Sequence, residues 1–212
     1  ETAGPIETPT RYRNRNGQLL EYSPYSERDI RTPELMEPNN DKNITVNVKL
    51  KTGIQSYLYR NHPCDLVGWD GYYFPWVFNI NDFMPVTGKI HQPPPIHQTF
   101  QAPGVVICSF VPRLFDYHPK SIPSPYAHSN VDSDEILYYV KGNFMSRNSV
   151  EEGSITFHPS GLPHGPHPGK IEESLGKKET NELAIMVDTF KPLNLTTLSK
   201  TIDDKEYPLT WM

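Results

Sequence analysis

The chain has 212 residues, a formal net charge of -5 and a pI near 5.9. That balance leaves no clustered basic surface for a polyanion, so nucleic acid is not an expected partner. Two cysteines, Cys64 and Cys108, are too few for a disulfide framework, and no apolar run of about eighteen residues could span a bilayer. A soluble protein of a reducing, cytoplasmic compartment is expected, with no membrane partner. The sequence opens on Glu1, and its first residues lack the basic, apolar and small-residue order of a secretory signal. This start suggests a truncated or processed chain.

The 22 prolines are spread along nearly the whole length and leave few windows for a helix, because an interior proline removes a backbone donor and clashes one turn back. An all-β fold follows. Residues 1–40 carry charges and turn formers and read as an irregular arm; 41–192 read as the folded β domain, and 193–212 as a second arm. From Ile44 the pattern alternates: Ile44, Val46, Val48 and Leu50 share one face of a pleated strand. Similar runs recur at Ser56–Arg60, Val105–Val111, Glu135–Val140, Ser154–His158 and Leu183–Val187, separated by Gly, Pro, Asn and Asp clusters. That spacing fits an antiparallel barrel or sandwich. Residues 69–78 hold six aromatics in ten positions and read as a core or subunit-contact wedge rather than a substrate-stacking wall. Cys108, inside an apolar run, reads as a small buried hydrophobe.

Two segments concentrate chemistry. In the first, His128 is followed by an acidic turn and by Glu135, which starts an apolar strand ending at Gly142. An imidazole and a carboxylate can therefore converge. In the second, Gly153 permits a turn, Pro159 and Gly161 shape a bend, and His164 is delivered after it. Two histidines and one carboxylate form the facial triad that leaves coordination positions open on ferrous iron. Asp132 and Asp134 compete as the carboxylate; Glu135 is preferred because it begins the strand and keeps a six-residue interval to Gly142. His62, His97, His118 and His167 carry no second argument, although His97 and His167 could brace ligands from behind.

These segments resemble the two cupin motifs. The second matches in full, from Gly153 through Pro159 and Gly161 to His164; in the first, Asn130 stands where the usual second histidine would be. Within the cupins the chain resembles the bacterial form of homogentisate 1,2-dioxygenase, on the run from Gly88 through His91, Pro93–Pro95 and His97 to Phe100, on His128–Glu135, on Gly142–Arg147 and on His158–His167.

The resemblance implies a cupin jelly-roll barrel (double-stranded β-helix) with irregular N- and C-terminal arms, corresponding to the C-terminal catalytic portion of a longer subunit. It implies Fe(II) held by His128, Glu135 and His164, with His91 as the acid/base group. Tyr126, His158, His164 and Phe144 fall at the substrate pocket. Phe144 and Ala127 stand where animal members carry tyrosines, whereas Tyr126 is kept. The implied reaction opens homogentisate with O₂ to maleylacetoacetate, in tyrosine and phenylalanine catabolism, in a homo-oligomer of the hexameric kind. A gentisate-type dioxygenase, or a non-oxidative cupin isomerase or binding module, is the alternative.

Overall fold

The computed structural model describes residues 2–32, 34, 42–63 and 76–212, in two compact units, Ile30–Phe78 and Glu1–Asp29 with Asn79–Met212. In the first unit, β1 (Ile30–Arg31) pairs antiparallel with β4 (Val77–Phe78). A hairpin joins β2 (Ile44–Leu50) to β3 (Gly53–Tyr59), in register from Ile44 opposite Tyr59 to Leu50 opposite Gly53. The alternation read at Ile44–Leu50 is therefore a strand. Most of its hairpin is exposed. The part of the aromatic run from Trp69 to Pro75 lies outside the described residues.

The second unit is built on a five-stranded antiparallel sheet in the order β5 (Gln98–Ala102), β6 (Val105–Phe110), β11 (Leu183–Thr189), β8 (Asp134–Lys141) and β9 (Ile155–His158). A two-stranded ladder of β7 (Arg113–Leu114) and β10 (Glu179–Thr180) accompanies it. β5 pairs with β6 and β8 with β9 as sequence neighbours, whereas β11 returns from later in the chain to lie between β6 and β8. Residues directly opposite one another share a face, so the register builds rows across the sheet. Phe110, Ala184 and Tyr139 form one row, and Cys108, Met186, Leu137 and Thr156 the next. Val106, Asp188, Glu135 and His158 form the third.

The first two rows, apolar except for Thr156, carry the core: Tyr139, Phe144 and Ala184 are buried together, with Phe110 and Leu137 packed against them. Cys108 is buried, as read from its apolar run, and burial pushes its thiol up to about 12. Gly142 ends β8 at φ 100°, where a Cβ would stand 2.3 Å from the Asn181 carbonyl oxygen. Only glycine fits that turn.

The free edge of β5 is closed by the N-terminal residues. Glu7 and Gln101 exchange backbone hydrogen bonds of 2.7 and 2.9 Å, the Tyr25 hydroxyl donates to the Thr99 carbonyl at 2.6 Å, and Tyr12 donates to the Gln98 carbonyl at 3.0 Å. An edge strand left with open donors and acceptors would invite pairing with another chain. Here the irregular segment covers it.

Sheet predominates. Two short helices, α1 (Lys170–Ser174) and α2 (Thr197–Ile202), fit into the gaps that proline leaves. The ladders among the described residues do not close into a barrel. No helix among those residues is long and apolar enough to cross a membrane.

Candidate metal centre

Two loops that are far apart in sequence meet backbone to backbone. His128 and His164 form an isolated antiparallel bridge, each donating its N–H to the other's carbonyl at 2.8 Å. Gly165 makes the approach possible: a Cβ there would stand 2.6 Å from the Ala127 Cα. The bridge puts the two imidazoles side by side, ring centres 4.4 Å apart. Glu135 enters from the third row of the sheet, and ligand atoms of His128, Glu135 and His164 all lie within 4.8 Å of one another.

The tautomers of both histidines are set by backbone carbonyls, which can only accept. His164 Nδ1–H donates to the Leu162 carbonyl at 2.8 Å and His128 Nδ1–H to the Tyr126 carbonyl at 3.1 Å. Each Nε2 therefore carries its lone pair. His164 Nε2 is buried without a hydrogen-bond partner among the described residues, a cost that a bound cation would relieve. Two such nitrogens and a carboxylate are the donor set that first-row divalent ions accept with positions left open. The residues present fit a metal of that class.

Glu135 is oriented from behind. Its Oε1 accepts from His158 Nδ1–H at 2.7 Å and lies 3.5 Å from His164 Nε2. Burial pushes the carboxyl up, but the bond from His158 and the nearby His164 imidazole outweigh it and hold it at about 2. His158 itself is 4% exposed; burial lowers its pKa against the opposing pull of Glu135. Its ring stacks on His164 with centres 4.2 Å apart at 15°. Expected at the pocket from the resemblance, it touches Glu135 and His164 and is not among the residues that line the cavity. Asp134, the competing carboxylate, has its two oxygens engaged by the N–H groups of Ser160 at 2.8 Å and Leu193 at 2.7 Å. Asp132 is exposed.

A cavity of about 840 Å³ opens over the inner face of the sheet. Its floor is Leu137, Tyr139, Met186 and Phe144, with Glu135 and His128 at one end. Phe144 is buried edge-on to Tyr139 at 4.7 Å and 71°, and offers no hydroxyl. Tyr126 stands exposed at the rim, its ring edge-on to His128 at 5.7 Å. His91 also lines the cavity, with 70% of its side chain exposed and its Nδ1 3.7 Å from Asp116 Oδ2.

Two acidic residues were not legible as site residues. Asp116 fastens the loop that carries His91, accepting from the N–H groups of Gln92 at 3.0 Å and Gly88 at 3.3 Å. Asp188 lies opposite Glu135 in the sheet register; burial and then the Glu135 charge raise its carboxyl to about 6. Neither sits in a local motif. Only the sheet register and the loop packing bring them in.

No protein-family model matches the chain. A protein of Saccharolobus solfataricus named "Putative dioxygenase" is 47% identical over 208 residues, 97% of this chain and 54% of that protein. The homogentisate 1,2-dioxygenase of Nitrobacter hamburgensis is 27% identical over 190 residues, 83% of this chain and 42% of the enzyme. That of Mus musculus is 30% identical over 132 residues, 58% of this chain and 29% of the enzyme. The chain thus spans about half, or less, of the length of these relatives. The motifs and the overall similarity agree, and the chain is similar to the homogentisate 1,2-dioxygenases over most of its length.

Proposed function

We propose that this chain is the catalytic portion of a non-haem Fe(II) dioxygenase that opens the ring of homogentisate with O₂ to give maleylacetoacetate. The supporting observation is the convergence of His128, Glu135 and His164 with both imidazole Nε2 atoms free of backbone bonds. A cupin barrel, assembly into a hexamer and a place in tyrosine and phenylalanine catabolism accompany the proposal through the resemblance. The dioxygenase names of the relatives support the reaction class.

When bound, Fe(II) supplies open coordination positions and an electron path between an aromatic hydroxyl and O₂. The protein's own groups do the rest. His128, Glu135 and His164 hold the ion, and His158 fixes the rotamer of Glu135 and keeps it ionised. His91 presents Nε2 to the substrate hydroxyl and takes its proton, while Asp116 beside Nδ1 stabilises the imidazolium that results. The apolar floor of Leu137, Met186 and Phe144 orients the ring and excludes water. Tyr126 at the rim is the polar contact offered to the substrate's side chain. Both oxygen atoms of O₂ enter the product.

A gentisate-type activity is the second reading: Phe144 offers no hydroxyl to the acetate carboxylate of homogentisate, whereas gentisate carries its carboxylate directly on the ring beside a hydroxyl. The test is parallel turnover of homogentisate and gentisate by the Fe(II)-loaded protein, with and without air. Homogentisate consumption that requires O₂ is the expected result. Preference for gentisate would overturn the substrate, and turnover indifferent to air would overturn the reaction class in favour of an isomerase. His91→Ala is expected to keep the metal and lose turnover; full turnover in that variant would remove the base assignment.

A further inference from the structure

We propose that the C-terminal 3₁₀ segment Tyr207–Trp211 is a positioning strap for the metal centre, acting on His164 through His167. This rests on the reading of His128, Glu135 and His164 as metal ligands. His167 is 1% exposed, and every polar atom of its ring is used. The Asn148 N–H donates to Nδ1 at 3.4 Å, so Nε2 carries the proton and donates to the Thr210 hydroxyl at 2.8 Å. The Thr210 hydroxyl in turn donates to the Tyr207 carbonyl at 2.6 Å. Trp211 stacks on the same imidazole, centres 3.9 Å apart at 25°.

The chain of contacts reaches the ligand. The Arg147 guanidinium lies over the Trp211 ring at 5.6 Å and donates to the carbonyl of Gly165, the residue after His164. The His167 N–H donates to the Ser146 carbonyl at 2.9 Å. The loop is thus pinned at one end by the His128–His164 bridge and at the other by His167. Between these anchors Pro166 fixes one backbone dihedral and Arg147 holds the Gly165 carbonyl, so the segment has few ways to absorb a shift of His167 before it reaches His164. The His167 imidazole is too well buried and too well paired to serve as a ligand; its use is to hold the loop. Groups that orient ligands from behind commonly govern affinity by about ten- to hundredfold. By reciprocity, an ion on His164 must stabilise the strap.

The test is Co(II) titration of the whole chain, read by the d–d absorption envelope, for wild type, Thr210→Val, Thr210→Ser and Trp211→Ala. Thr210→Val and Trp211→Ala are expected to weaken Co(II) about tenfold and alter the envelope, and Thr210→Ser, which keeps the hydroxyl, to restore both. Amide exchange in residues 207–211 should slow when Co(II) is added. If Trp211→Ala does not fold, the Thr210 pair decides. Co(II) binding that is lost in His164→Ala but unchanged in Thr210→Val would overturn the strap alone. Binding that survives His164→Ala would overturn the metal centre, and the strap with it.

Discussion

Replacing His158 by phenylalanine keeps a flat ring against His164 and deletes only the bond to Glu135. That bond is 2.7 Å long and joins side chains 4% and 13% exposed, so water cannot replace it at little cost. A hydrogen bond to a charged group contributes about 1.5–3 kcal/mol, which is roughly ten- to hundredfold in an equilibrium constant. The loss should fall on metal affinity, because the carboxylate becomes free to turn away from His128 and His164. Isothermal titration with Co(II), at a pH where His164→Ala serves as the blank, gives the number. We expect an affinity ten- to hundredfold weaker in His158→Phe with stoichiometry unchanged. An affinity equal to that of wild type would refute the claim that His158 holds Glu135 in place.

Gly165→Ala should separate the two motif loops, since its Cβ would meet the Ala127 backbone at 2.6 Å. We expect about 1–3 kcal/mol of destabilisation in urea together with loss of Co(II) binding; unchanged Co(II) binding would contradict the bridge as the site's foundation. His97 gives a pH test away from the ligands. Burial, and then the charge of Arg113, lower its pKa to about 3 from 6.5, so the unfolded chain takes up the proton first. The fold keeps its full stability above about pH 6.5 and loses up to a few kcal/mol as pH falls toward 3. The urea midpoint of His97→Phe, compared with wild type at pH 7 and pH 5, should show a smaller drop; equal drops would mean that His97 is not held neutral.

What the sequence made legible follows from where the signal lies. β2, β6, β8, β9 and β11 stand where period-two alternation or short apolar runs marked strands. The bends that deliver His164 stand where Gly153 and Gly161 take positive φ. These are local properties of a few adjacent residues. β5 was missed because Gln98 and Gln101 interrupt its apolar pattern, and its burial comes from the N-terminal residues laid along it. α1 was missed because it is five residues long and begins after a left-handed Gly169, too short for a helical period to register. Asp116, Asp188 and the attachment of Thr210 to His167 depend on contacts across tens of residues. His158 was placed at the pocket by the resemblance alone, and its bond to Glu135 exists because the register of β8 and β9 sets the two opposite each other.

The central claim is that the three converging side chains hold an ion that couples an aromatic acid to O₂. The most direct measurement is O₂ uptake against homogentisate consumed, after anaerobic loading with Fe(II), in wild type and in His164→Ala. The account predicts one O₂ per homogentisate in wild type and none in the variant. Uptake that persists in His164→Ala, or no uptake by wild-type protein carrying one Fe(II) per chain, would contradict it.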